Sequence, residues 1–368
     1  MKETNQIISI IGPTAVGKTS FALELIDFLE ENYRENSFKK ELSKLSGKKS
    51  PKELPENIQE YASFDIISAD SRQVYCDLKI ISGADIPSDF YKKDNYFEKI
   101  SHAHKKKTRI YGIGMLGYQD EWSVAHFRGF AQRIIKKSHA VGRLPIIVGG
   151  TGLYHQHLFD PSPILNIVPN QDLRNELSGL GVTELQEKLR EIDREKFEKM
   201  NQSDKNNPVR LVRALEIATF TQKIDQDSGG KVPQNLQESA KAQFLQPNQL
   251  IIGLRDDLEN IKQKIDQRVA RRFESGAKLE AEKIKFLAEE FGVNKQIVSA
   301  TGVKEIVTYL DGLVEAEECQ KKWALREFQY AKRQLTWWKK RPNIKWFEVD
   351  QKNWNAKAKK VVNEWLSA

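Results

Sequence analysis

The sequence has no long apolar run. Nothing in it approaches the ~18 consecutive apolar residues that read as a membrane-spanning helix, so no membrane partner is expected. Cysteine is scarce: Cys76 and Cys319 are the two in 368 residues, and they lack CxxC spacing. A disulfide framework and a cysteine zinc site are therefore not expected, and a reducing compartment is. Met1-Lys2-Glu3-Thr4 leads into an apolar segment without a secretory hydrophobic region, which fits a cytoplasmic protein. Acid is in deficit. Asp and Glu number 51 against 59 Lys and Arg, leaving a net charge of +8. That balance leans toward an anionic macromolecule as partner.

What is present is a glycine loop in the right setting. Ile7-Ile8-Ser9-Ile10-Ile11 reads as a buried parallel strand. Gly12-Pro13-Thr14-Ala15-Val16-Gly17-Lys18-Thr19 follows it, and Ser20-Phe21-Ala22-Leu23-Glu24-Leu25 reads as the start of a helix. Strand, loop and helix make an anion cradle. Backbone N–H groups and the helix N-terminus face the phosphates, Lys18 neutralises them, and Thr19 can hold Mg²⁺. Gly12, Thr14, Ala15, Gly17, Lys18, Thr19 and Ser20 are the expected phosphate-binding set. The loop says only that a polyphosphate is bound.

Further strands are expected at 64–68, 144–148, 249–254 and 343–349, with an amphipathic helix over 125–139. Strands alternating with helices argue for an α/β fold built on a doubly wound parallel sheet. The apolar pattern lapses after Glu30, and 34–58 reads as a polar, mobile insertion. Residues 170–240 are helical and charged, with Leu177, Leu185, Leu189, Ile192 and Phe197 at roughly helical spacing. They read as a small all-helical domain inserted into a core made of 1–169 and 241–368.

Two segments follow strands and should share the rim of the sheet with Lys18. Ser68-Ala69-Asp70-Ser71-Arg72-Gln73-Val74-Tyr75 places Asp70 there, as a general base or simply as a helix cap. Gly149-Gly150-Thr151-Gly152-Leu153-Tyr154 places Thr151 there, in a functional loop or a tight turn. In the basic stretch 321–345, nine Lys or Arg stand against a single acid, Glu327, and are interleaved with Trp323, Trp337 and Trp338. Those tryptophans read either as core or as platforms for unpaired bases.

These motifs, in this order, resemble the tRNA dimethylallyltransferases (tRNA isopentenyltransferases). Arg210-Leu211-Val212-Arg213-Ala214-Leu215-Glu216, Ile265-Asp266-Gln267-Arg268-Val269, Thr301-Gly302-Val303-Lys304-Glu305 and Ala331-Lys332-Arg333-Gln334-Leu335-Thr336-Trp337-Trp338 extend the likeness over roughly residues 7 to 347. The resemblance implies a P-loop, nucleotide-kinase-like core with an inserted helical domain. It implies transfer of a dimethylallyl group from dimethylallyl diphosphate, with Mg²⁺, to N6 of the adenosine 3′ of a tRNA anticodon. It assigns Asp70, Thr151 and Arg268 to catalysis. It assigns Ser71, Gln73, Tyr75, Arg210, Arg213, Lys304, Arg333 and Gln334 to the tRNA anticodon stem-loop. A bacterial-type enzyme is expected, since no C-terminal Cys/His pairs are present, and a monomer is expected as well.

The sequence also departs from the family pattern. Ser82-Gly83-Ala84-Asp85-Ile86-Pro87 stands where the family has Gly-Thr-Ala-Lys-Pro, and Arg109 to Met115 replaces a His-His-Leu segment. Arg272 stands where a Met is expected, and Val303 where an aromatic is. These changes leave room for other readings: an adenylate isopentenyltransferase, a P-loop kinase of a small metabolite, or a non-catalytic RNA-binding paralogue.

Overall fold

The computed structural model describes residues 5–46, 63–84, 86–88, 90–95, 100–105, 107–160, 167–228 and 248–368, with 36–46, 91–95, 100–105 and 224–228 described as backbone alone. Its centre is an eight-stranded sheet. The strands are β1 (Gln6–Ile11), β2 (Phe64–Ser68), β3 (Tyr91–Asn95), β4 (Ile100–Lys105), β5 (Thr108–Tyr111), β6 (Leu144–Val148), β7 (Asn248–Arg255) and β8 (Ile344–Glu348). Their order is β3-β4-β5-β2-β6-β1-β7-β8. The six strands from β5 to β8 in that order are parallel, while β3 and β4 run antiparallel at one edge.

The apolar runs explain the centre of the sheet. β1, β2 and β6 are buried along their whole length, as strands covered on both faces must be. Ile8, Ile10, Ile146, Ile252 and Leu254 meet Phe21 and Leu25 from the helix after the glycine loop (Lys18–Ser46), and Val362 from the last helix (Trp354–Leu366). The register matters more for function than the core does. Ile10 pairs with Val148, Val148 with Ser68, and Ile11 with Gly253. The carboxyl ends of β1, β2 and β6 therefore lie level, and the three motif loops leave the sheet side by side.

The parallel strands expected from sequence are all present, and β3, β4 and β5 are additions. Thr108-Arg109-Ile110-Tyr111 is four residues long with two polar positions, too short to show a period. The Lys18–Ser46 helix also runs well past Glu30. Its sequence there is rich in Glu, Lys, Arg and Leu, residues of good helix propensity, and Arg34 reaches Glu30 at 3.5 Å one turn away. Of the insertion expected at 34–58, residues 47–58 lie outside the described residues.

The chain divides into two compact units, 1–155 with 246–368, and 156–245. In the second, Leu177, Leu185, Leu189 and Phe197 pack on Leu211, Ala214, Leu215 and Ala218 of the long helix Pro208–Ser228. Glu216 is buried there between Arg174 at 2.7 Å and Arg213 at 2.9 Å. No described helix is long and apolar enough to cross a membrane.

Candidate active site

The phosphate loop takes its shape from three left-handed or extended turns. Gly12 sits at φ 148°, Ala15 at 65° and Gly17 at 90°. Gly12 is also pressed against β7, where a Cβ would lie 2.3 Å from Leu254 O, so no larger residue fits. Lys18 curls back so that Nζ donates to Pro13 O at 2.6 Å. Burial, with the charge of Arg268 adding to it, lowers the Lys18 pKa to about 8, and Asp70 opposes the shift.

Two helices from the far end of the chain brace this loop. Gln334, on the helix Ala316–Trp338, accepts from Thr14 N at 2.8 Å. Arg268, on the helix Leu258–Arg272, donates from Nη2 to Thr14 Oγ1 at 2.7 Å. The same Nη2 also donates to Glu327 Oε2. Trp323 Nε1 donates to Glu327 Oε1 at 2.9 Å, so this buried carboxylate fixes the arginine within a hydrogen-bonded frame.

Asp70 leaves the end of β2 on a turn. Its Oδ1 accepts from Arg72 N at 2.8 Å and Gln73 N at 3.3 Å. It therefore does cap the turn, and with one oxygen only. Ser68 Oγ holds Gln73 Oε1 at 2.9 Å, and Gln73 Nε2 donates to Gly83 O at 2.9 Å. Thr151 begins the helix Gly152–Phe159 after β6. The Tyr330 phenol is set among Asp70, Thr151 and Gln334, and burial raises its pKa, Asp70 adding to the effect.

Two adjoining cavities of about 420 Å³ each open here. One lies over the phosphate loop and includes Lys18, Thr19, Gly150, Arg272 and Gln334. The other is lined by Arg72, Arg326, Arg333, Tyr330 and Ser71. Thr14, Asp70, Ser82 and Arg268 line both. A carboxylate and a guanidinium thus stand at the junction of a phosphate cradle and a second, arginine-rich chamber.

Not every residue singled out from sequence gathers here. Tyr75 is buried, its hydroxyl donating to Asp120 O at 3.2 Å and lying 3.1 Å from Gln296 Oε1. Lys304 is exposed on the helix Val303–Leu310. Arg210 and Arg213 belong to the helical unit, where Arg210 pairs with Asp204, and Arg213 with Glu216 and Ile167 O. Gln334 turns inward to the loop backbone. The tryptophans divide: Trp323 and Trp338 are core, at 0% and 3% exposure, and so cannot stack on bases. Trp337 packs on Gly152 beneath the Arg341 guanidinium, 4.5 Å from the ring centre.

Sequence reasoning missed Tyr330, Arg72, Arg326 and His155, and saw Glu327 only as a count. The isolation of that one acid in a basic stretch was the available signal. His155 offered none. It is buried against Trp338, ring centres 5.2 Å apart, and burial beside Lys18 lowers its pKa to about 3.

The IPP transferase family model matches residues 92–341. The chain belongs to this family. Two similar IPP transferases are the tRNA dimethylallyltransferase of Acetivibrio thermocellus, 31% identical over 99% of this chain and 98% of that protein, and that of Halalkalibacterium halodurans, 30% identical over 99% and 96%. The crystal structure of the full-length tRNA isopentenylpyrophosphate transferase from Bacillus halodurans superposes with a TM-score of 0.59, at 27% identity, over 99% of this chain and 97% of that one. A eukaryotic dimethylallyltransferase acting on tRNA shares the fold, with a TM-score of 0.65 at 21% identity, over 98% of this chain and 79% of that one.

Proposed function

We propose that this IPP transferase moves a dimethylallyl group from dimethylallyl diphosphate to N6 of the adenosine 3′ of a tRNA anticodon. The observation that carries the reading is the junction. Asp70 and Arg268 line both chambers, which is where a group passing from a donor in one to an acceptor in the other must cross. A cradle for a single substrate would not need the second chamber.

The residues divide the work. The diphosphate lies over the loop, facing Lys18, the backbone N–H groups and Arg268. Adenine N6 attacks C1 of the dimethylallyl group, and the C1–O bond breaks with its electron pair leaving on the diphosphate. The N6 lone pair is delocalised into the ring, so N6 attacks weakly unless its proton is taken as the C–N bond forms. Asp70 accepts that proton on Oδ2, the oxygen its turn leaves free. Arg268, Lys18 and Thr151 stabilise the charge gathering on the leaving oxygen.

Mg²⁺ would be held by the Thr19 hydroxyl together with the phosphate oxygens of the donor, where it would neutralise charge on the leaving diphosphate. Among the described residues no cluster of His, Cys, Asp and Glu could hold a metal ion alone, which fits a cation that arrives with its phosphate. Ser71, Arg72, Arg326 and Arg333 line the acceptor chamber, where phosphates and an extruded base would meet guanidinium groups. Arg210, Arg213 and Lys304 would meet the anticodon stem-loop.

The test is transfer itself. The protein is incubated with dimethylallyl diphosphate, Mg²⁺ and either bulk tRNA or AMP, and the nucleosides are weighed. Isopentenyladenosine in tRNA is expected. Product from AMP alone would indicate the free-nucleotide reaction. No product, together with a preference for ATP as ligand, would indicate a kinase.

A further inference from the structure

Thr14 belongs to the phosphate-binding set expected from sequence, yet the chain itself occupies it. Gln334 Oε1 accepts from Thr14 N at 2.8 Å, and Thr14 Oγ1 accepts from Arg268 Nη2 at 2.7 Å. The backbone donor that a phosphate oxygen would use therefore already holds a carboxamide oxygen, at ordinary hydrogen-bond distance. Gln334 comes from the far end of the chain, on the helix Ala316–Trp338, and is buried. Its amide fits in a gap that glycine leaves. A Cβ on Gly150 would lie 2.1 Å from Gln334 Nε2 and 2.8 Å from Gly12 O. Trp338, one turn further along the same helix, donates from Nε1 to Gly150 O at 3.3 Å and ties the helix to that segment.

The place of Thr14 in the loop gives this contact its meaning. Thr14 lies at the end that leaves β1, and it lines both chambers. Lys18 and Thr19 lie at the end that enters the helix, and they line the chamber over the loop alone. Phosphates are drawn to the helix end by its N–H groups, its dipole and Lys18. A chain of phosphates running from there toward the junction reaches Thr14 last. At that point it meets the Gln334 oxygen, an acceptor, where a phosphate oxygen needs a donor.

We propose that Gln334 stands in the place of a third phosphate. It caps the loop at the junction, so the site takes a diphosphate ester and presents the ester's carbon to the acceptor. An uncapped loop would present a phosphoryl group there. Gln334 thereby selects the class of donor, a diphosphate ester over a nucleoside triphosphate. This deepens the donor reading above and rests on it. The plainer role is a brace that holds the loop in shape and treats every polyphosphate alike.

Calorimetry with inorganic diphosphate and inorganic triphosphate, each with Mg²⁺, distinguishes the two. The quantity read is the ratio of triphosphate to diphosphate affinity. Q334A removes the cap and gives the Thr14 N–H to a third phosphate. The ratio should then rise about tenfold or more over that of the unaltered protein, as a new hydrogen bond to a charged group allows. Q334N, one methylene shorter, should move the ratio in the same direction. A brace behaves otherwise: its loss weakens both ligands together and leaves the ratio where it was. If the unaltered protein binds diphosphate and Q334A shows the same ratio, the proposal is overturned. Thermal melting of each variant shows that it is folded before binding is read. If Q334A does not fold, Q334N decides, and an unchanged ratio there overturns the proposal too. If the unaltered protein does not bind diphosphate at all, the donor reading fails and takes the proposal with it.

Discussion

Lys18 shows how one side chain is poised by its surroundings. Its folded pKa of about 8 lies well below the ordinary 10.5 because burial and Arg268 disfavour the charge. A bound diphosphate reverses that balance and holds the proton. Affinity for dimethylallyl diphosphate should therefore be full below about pH 8. It should fall as pH rises through 8 and 9, when the empty site has already lost the proton that the complex needs. Calorimetry in two buffers of different ionisation enthalpy at pH 8.5 should detect proton uptake on binding. An affinity that is level from pH 7 to 9.5 would show that Lys18 does not touch the diphosphate. Asp70 could be placed at the rim because its segment follows a strand of the sheet, whereas Arg268 came only through the family resemblance, since a lone helix arginine otherwise reads as a solvated charge. Tyr330, Arg72 and Arg326 were not legible in the sequence. Their positions depend on which way the 316–338 helix and the turn after β2 face, which only the packing decides.

Among the elements, the parallel strands could be read because covered strands must be apolar throughout. The antiparallel edge could not, since β3, β4 and β5 are short and largely polar. The helix from Lys18 runs further than its apolar pattern, because Glu, Lys and Arg are good helix formers and can extend a helix whose apolar residues are spent. The tryptophans of the 316–338 helix were ambiguous for a similar reason: basic neighbours on a helix report its wet face and say nothing of the other. The helix after β6 carries its own test. His155 is buried there as a neutral ring against Trp338. Its folded pKa of about 3 lies below the ordinary 6.5, so the unfolded chain takes up a proton first. Its contribution to stability is complete above pH 6.5 and is lost as the pH falls toward 3. At pH 5 the loss should be about 2 kcal/mol. Denaturant unfolding of the unaltered protein and of H155F at pH 7.5 and 5 should show the pH dependence shrink in the variant. An equal dependence in both would mean His155 is not buried in the neutral form.

For the whole molecule, a net charge of +8 and an arginine-lined chamber predict that tRNA binding is driven by phosphate contacts. Each neutralised phosphate should contribute about 0.7–0.9 to the slope of log affinity against log salt. Replacing exposed Lys339 and Lys340 with Gln should flatten that slope while donor binding stays unchanged. A salt-insensitive affinity would make the basic stretch a solvated face. The central claim is that donor and acceptor bind in separate chambers and react at the junction. Asp70→Asn tests it most directly, because it keeps shape and removes the carboxylate. One preparation gives three numbers: the dissociation constant for dimethylallyl diphosphate, that for tRNA, and the single-turnover transfer rate. The rate should fall by about 10²–10⁴, as loss of a general base does. Both dissociation constants should move less than about tenfold. Transfer at the unaltered rate would make Asp70 a turn cap only, and would contradict the assignment of the reaction to the junction.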